Sequence, residues 1–264
     1  MLTLCQDNEV ETLCIIAFEY KVNNQYDLVI CANRDEFYVR PTKPAHLWET
    51  SPKIFAGKDI QEGGTWMGVT EHGKFVAITN YRDPNLEEVK TYSRGVIATN
   101  FLLGDVSAPD FAQQLQKDKD LYGPFNVLAY DGEDLIHYNN IVDEIQFVKP
   151  GIHCLCNATL NTPWPKTILL TKDFGHILVQ EKWSNEELLH ILQNEQLAPD
   201  RLLPKTGVSY ELEKALSAIF VKMENYGTRA STIIKLNKNG ADFFEQTYER
   251  GISTSSVQSF IEFK

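Results

Sequence analysis

Leu13-Cys14-Ile15-Ile16-Ala17-Phe18 and, after the turn-prone Asn23-Asn24, Tyr26-Asp27-Leu28-Val29-Ile30-Cys31-Ala32 are the two stretches on which the fold turns. Neither alternates polar with apolar residues, so each reads as a strand covered by protein on both faces. Joined by a short turn, they form a hairpin, and two-sided burial calls for helices over the sheet. Further strands are expected at 75–79, 125–130, 135–138, 152–156, 232–236, 243–248 and 257–263. Helical periodicity marks 94–103, 109–116, 165–170, 185–192 behind Ser184 and 211–220 behind Ser209. Strands at both ends with helices between them argue for one closed α+β unit, whose terminal strands share a sheet. The two prolines of 195–207 mark a flexible loop.

Composition narrows the function. With 43% apolar and 23% charged residues over 264 positions, the chain can bury a sizeable core, which excludes disordered and collagen-like classes. The net charge of -11 repels phosphate backbones and anionic lipid, so nucleic acid is excluded as the main partner. No apolar run approaches the ~20 residues of a membrane span, and no stable membrane insertion is expected. Five cysteines without a C-x-x-C, and no secretory apolar segment after the acidic start, suit free thiols in a reducing, cytoplasmic setting.

Four polar clusters fall at the ends of expected strands, where a scaffold delivers chemical groups. They are Asn33-Arg34-Asp35-Glu36, Thr79-Asn80-Tyr81-Arg82, Asn157 with Asn161, and Tyr226-Gly227-Thr228-Arg229. Together they supply amides for an oxyanion, cations and an orienting acid. The nucleophile with an interpretable position is Cys14. As a mature N-terminus, its own α-amine, with a free pKa of about 7.7 to 8.0, takes the thiol proton. As an internal residue it is strand core. The six histidines are scattered singles, and no nucleotide-loop, serine-hydrolase or zinc-protease motif occurs. No metal site is indicated.

Cys14-Ile15-Ile16 and the run Ala32-Asn33-Arg34-Asp35-Glu36-Phe37-Tyr38-Val39-Arg40-Pro41 resemble the signature of the NRDE family, that of transport and Golgi organisation protein 2. Gly63-Gly64-Thr65-Trp66-Met67-Gly68, Thr79-Asn80-Tyr81, Gly123-Pro124-Phe125-Asn126, Asn157-Ala158 with Thr162-Pro163-Trp164, and Tyr226-Gly227-Thr228-Arg229 with Ser231-Thr232 continue the resemblance nearly to the C-terminus. It implies an N-terminal-nucleophile-hydrolase-like fold, an αββα four-layer sandwich of two antiparallel sheets between helices. It also implies a kinship with cysteine amidases of linear amides. On that implication Cys14 attacks, Asp35 orients its amine and Arg34 favours the thiolate. Asn80 and Asn157 bind the oxyanion, while Arg229 supports the pocket. Those amidases space their Arg and Asp two residues apart, whereas Arg34 and Asp35 are adjacent and face opposite ways when extended. Either Asn33 or Glu36 is then the alternative counterpart.

The family is also linked to haem trafficking and to mitochondrial and lipid metabolism, and the resemblance implies mitochondrial or Golgi association in a eukaryote. The second reading is therefore a non-catalytic binding or trafficking protein for haem or a lipid metabolite. Hydrolysis requires no cofactor, and haem enters only as a ligand, for which no motif is present. Residues 1–13 stand outside the family pattern, with 14–264 as a single domain. That extension is a start placed upstream of the family's initiator, a propeptide cut before Cys14, or a permanent addition.

Overall fold

The structure, a computed structural model, describes residues 13–82 and 91–264. Residues 1–12 of the expected extension lie outside the described residues. The opening hairpin is present as β1 (Leu13–Tyr20) and β2 (Leu28–Phe37), antiparallel with Ile16 opposite Ala32. On one side of it lies β10 (Gly151–Leu155). On the other follow β11 (Tyr226–Asn237), β12 (Gly240–Glu249) and β13 (Ile252–Glu262), completing a six-stranded sheet in the order β10-β1-β2-β11-β12-β13. The first and last strands thus share one sheet. A seven-stranded sheet runs in chain order through β3 (Thr42–Leu47), β4 (Ile54–Asp59), β5 (Met67–Thr70), β6 (Phe75–Asn80), β7 (Phe125–Tyr130), β8 (Leu135–Asn139) and β9 (Glu144–Phe147).

Side chains alternate across each strand, and this sorts the apolar residues into three layers. Ile16, Phe18, Leu28 and Ile30 meet Phe55, Val69, Phe75 and Leu128 between the sheets. Behind the seven-stranded sheet, Val76, Ile78 and Val127 pack on α1 (Arg94–Leu103) and α2 (Ala108–Lys117) through Phe101 and Phe111. Behind the six-stranded sheet, Ile15, Ala17 and Val29 pack on α3 (Pro165–Leu178) and α4 (Asn185–Leu192) through Phe174 and Leu188. The result is an αββα sandwich. A shorter helix, α5 (Tyr210–Ala215), covers Leu13 through Leu212. Among the described residues no helix is long and apolar enough to cross a membrane.

Several boundaries differ from the sequence reading. Asn33 to Glu36, expected beyond a strand ending at Ala32, are part of it: β2 runs on to Phe37, and these residues pair with β1 and β11 at once. α3 extends to Leu178 because Leu170, Phe174 and Ile177 keep facing the sheet, beyond the expected end. α5 stops at Ala215, before the expected 220. The strands β3, β4, β5 and β9 were not expected. They are short, with Pro44, Gly57 and Gly68 inside three of them, and pairing rather than propensity makes them. The expected loop at 195–207 is tied down, with Ala198 N donating to Ser217 Oγ at 3.0 Å and Lys214 Nζ to Ala198 O at 2.7 Å.

Candidate active-site cleft

A cleft of about 750 Å³ opens at one end of the sandwich, lined among others by Cys14, Arg34, Glu36, Asn80, Arg229 and Glu245. Register builds its floor. Cys14 stands opposite Arg34, Arg34 opposite Ala230, Ala230 opposite Thr247 and Thr247 opposite Ser255, a row crossing five strands. Directly opposed residues of antiparallel strands share a face, so this row points between the sheets, continuing the side taken by Ile16 and Phe18. Arg34 Nη2 contacts Glu36 Oε2 at 3.2 Å, and Arg40 Nε lies 3.6 Å from the same oxygen and 2.7 Å from Asp59 Oδ2. The Cys14 thiol is 1% exposed. Burial pushes it well above its ordinary range and the Asp35 charge adds to this, against the opposing Arg34 charge.

Asp35 faces the other way. It stands opposite Leu13 on one side and Thr228 on the other, and Thr228 Oγ1 donates to its Oδ1 at 2.6 Å. Its Oδ2 is buried without a hydrogen bond. Burial pushes the Asp35 carboxyl up to about 6, opposed by the charge of Lys166 and the Thr228 bond. On the same side Leu13 N donates to Tyr226 Oη at 2.7 Å. Asn33, also outward, donates through Nδ2 to the carbonyls of Leu192 at 2.8 Å and Ile219 at 2.9 Å, and accepts from Ser231 Oγ at 2.6 Å. Arg34 and Glu36 therefore serve the cleft, while Asn33 and Asp35 serve the back of the sheet.

Asn80, at the end of β6, reaches the cleft from the second sheet. Asn157 stands behind it, fully buried, and its Nδ2 donates to Asn80 O at 3.0 Å. Thr79 Oγ1 donates to Cys156 O at 2.8 Å, and Asn126 Nδ2 donates to Thr79 Oγ1 and Ala158 O. Asn126 Oδ1 in turn accepts from Asn139 Nδ2 at 2.8 Å and lies 3.0 Å from His137 Nε2. This buried polar seam joins the two sheets beneath the cleft. Arg229 sits where the β2–β11 register shifts, between Thr228 and Ala230, and its Nη1 donates to the carbonyls of Phe37, Tyr38 and Arg40. It lines the cleft while holding the turn after β2. A Cβ on Gly227 would lie 2.3 Å from Tyr38 Oη and 2.6 Å from Val221 O, so the neighbouring strand admits only glycine there.

Sequence reasoning missed Trp66 and the start of α1 as parts of the opposite wall, and Glu245 of β12 as part of the floor. Gly63-Gly64-Thr65-Trp66 held a signal: a Cβ on Gly64 would lie 2.5 Å from the Gly95 carbonyl, so the double glycine lets α1 approach the loop. Glu245 has none, being an isolated carboxylate on a strand. It accepts from Ala45 N at 2.7 Å, and burial raises its carboxyl. The donor set does not fit haem. Among the described residues no His or Met lines the cleft, and the cysteine that does, Cys14, is buried. Among the described residues no group of three or more His, Cys, Asp and Glu is arranged to hold a metal.

The polar ends of β1, β2, β6 and β11 that make this cleft all fall inside residues 13–250, which match the family model described as Transport and Golgi organisation 2. The chain belongs to that family. It is 34% identical over 254 residues to the Transport and Golgi organization 2 homolog of Mus musculus, covering 86% of this chain and 90% of that protein. The human homolog matches with the same identity and coverage. Transport and Golgi organization protein 2 of Drosophila melanogaster is 24% identical over 264 residues, covering 89% of this chain and 92% of that protein. Membership covers nearly the whole described fold, and both faces of β2 lie within the matched region.

Proposed function

We propose that the chain is a cysteine amidohydrolase of the N-terminal-nucleophile type, acting on a linear amide or related acyl compound. The observation that carries this reading is the direct opposition of Cys14 and Arg34 at the end of a cleft that Asn80 enters from the other sheet. In the continuous chain the amine is a peptide nitrogen, and burial pushes the thiol up, which disfavours the thiolate. A break before Cys14 would free an amine beside the place of Leu13, opposite Asp35, whose unpartnered Oδ2 is suited to an ammonium.

In the reaction the amine takes the thiol proton and Sγ attacks the acyl carbon, with the carbonyl electron pair moving to oxygen. The Asn80 amide donates to that oxyanion. Collapse expels the leaving amine, which takes the proton back from the ammonium, and water then cleaves the thioester by the same proton path. Arg34, held by Glu36, favours the thiolate. Asn157, whose Nδ2 is engaged by Asn80 O, and Arg229, engaged by three carbonyls, act as positioning residues.

The burial of Cys14 at the floor of a cleft of about 750 Å³ favours a second reading, in which the same cleft holds an acyl or lipid metabolite without chemistry. The test compares the full chain, a chain beginning at Cys14 and its Cys14→Ser variant against a panel of N-acyl amides, read by intact mass. An acyl adduct on the Cys14-first chain alone supports hydrolysis. Saturable retention of the panel by all three without adducts supports the binding reading, and adducts on the full chain overturn the free-amine mechanism.

A further inference from the structure

The cleft floor runs on from Cys14 and Arg34 toward the far strands of the six-stranded sheet. Glu245 stands opposite Thr232, Thr232 opposite Ala32 and Ala32 opposite Ile16, so it faces the cleft one row in from Cys14 and Arg34. It lines the cleft and is only 4% exposed. The arginines around it are engaged elsewhere. Arg34 reaches Glu36 at 3.2 Å, Arg40 reaches Asp59 at 2.7 Å, Arg229 donates to three carbonyls, and Arg94 Nη1 donates to Pro124 O at 2.9 Å. Of the two lysines in the lining, opposed on β3 and β4, Lys58 turns away onto the Trp48 ring behind its sheet. Among the described residues Glu245 has no ion-pair partner. Its Oε1 accepts from Ala45 N, and its Oε2 faces Gly57, where a Cβ would stand 3.7 Å away and the missing side chain leaves the approach open. Burial raises the carboxyl, while the Ala45 N–H and the more distant Arg34 charge favour its ionised form.

We propose that Glu245 sets substrate choice: the compound held in the cleft carries a protonated amine at the far end of its acyl chain, and Glu245 binds that amine. The inference rests on the reading of the cleft as the place of a linear acyl compound. Strand spacing sets the chain length. β1 and β12 are three strand spacings apart in the sheet order, roughly 14 Å at about 4.8 Å each. An extended chain of about ten to twelve carbon–carbon bonds covers that span, since each bond of about 1.5 Å advances less than its own length. Ala230, between Arg34 and Thr247 on the Cys14 row, carries only a methyl and leaves the chain room to pass. An ammonium at its end donates to Oε2 and brings the counter-charge that the fold does not supply. A hydroxyl brings the hydrogen bond without the charge, and a methyl end seals a carboxylate beneath apolar atoms, which is costly. The net charge of -11 also draws a cation toward the molecule more readily than an anion.

The experiment measures, by calorimetry, binding of three anilides to the full chain: those of dodecanoic acid, 12-hydroxydodecanoic acid and 12-aminododecanoic acid. The amine-bearing compound should bind about tenfold more tightly than the other two, the scale of one charge-assisted hydrogen bond. Glu245→Gln keeps an acceptor for Ala45 N and removes the charge, so the advantage of the amine should fall below about twofold. Circular dichroism melts check that the variant folds, and the comparison of the three compounds on the wild type tests the proposal without it. Equal affinity for all three compounds, an advantage shared by the hydroxyl compound, or an amine advantage unchanged by Glu245→Gln overturns this inference and leaves the acyl cleft standing. Binding of none of the three overturns the inference and the acyl reading of the cleft together. Acyl adducts at Cys14 in the mass experiment, without an amine preference here, keep the hydrolase reading and discard this one.

Discussion

Asn33 shows how one side chain can hold three parts of the molecule. Its amide nitrogen satisfies the last carbonyl of α4 and the carbonyl of Ile219, and its oxygen receives the Ser231 hydroxyl. Buried acceptors left without donors cost about 1 to 3 kcal/mol each. Asn33→Ala should therefore lower stability by roughly 3 kcal/mol, read from urea midpoints. Asn33→Asp should cost more, because a carboxylate cannot donate to two carbonyls. Equal stability of the aspartate variant and the wild type would contradict this account. Tyr226, the first residue of β11, has a comparable role, receiving Leu13 N–H in a fully buried site with Phe37 packed edge-on at 5.2 Å.

Elements meet the cleft through close backbone contact. α1 begins at Arg94 behind the N-cap Ser93, and its first turn lies against Gly64. Gly64→Ala would set a methyl 2.5 Å from backbone atoms of Gly95, which cannot turn aside as a side chain can. Overpacking of this kind costs about 1 to 3 kcal/mol. The helix start should shift away from the loop, so Trp66 fluorescence should change with the loss of stability. An unchanged spectrum and midpoint would show that the two segments do not touch as described. The same reasoning explains why β2 stays extended through four polar residues: each finds partners on its own face, so nothing forces a turn.

Across the whole molecule, two buried groups set opposing pH dependences. Asp35 has its pKa raised to about 6 in the folded state, against about 3.9 unfolded, so its contribution is present below about pH 4 and lost as pH rises through 6. His137, with Nε2 near Asn126, is lowered to about 4 by burial, against about 6.5 unfolded. Its contribution is present above about pH 6.5 and lost as pH falls through 4. Each amounts to roughly 3 kcal/mol. Asp35→Asn removes one slope and leaves the other. Its stability should therefore rise more steeply than the wild type's between pH 4 and pH 6.5, in urea titrations at several pH values. Parallel profiles would show that Asp35 does not titrate in this range.

The opening hairpin, the shared sheet of the terminal strands and the helical segments around residues 94, 109, 165 and 185 were legible because apolar periodicity is a local property. Cys14, Arg34, Asn80 and Arg229 were legible as candidate cleft residues because polar runs stand out beside apolar strands. That Arg34 and Asp35 face opposite ways was legible from extended geometry, but which face meets the cleft was not, because it follows from which neighbours cover each side of β2, namely α4 and Thr228 behind and the second sheet in front. Glu245 carries no local signal and joins the cleft only through strand order, while the start of α1 joins it through a loop contact that only the Gly63-Gly64 pair marks. The sequence by itself determined the layers and the polar residues available to a site. Tertiary structure alone decided which of them face one another, since cross-strand register and the packing of one sheet on another link residues far apart in the chain.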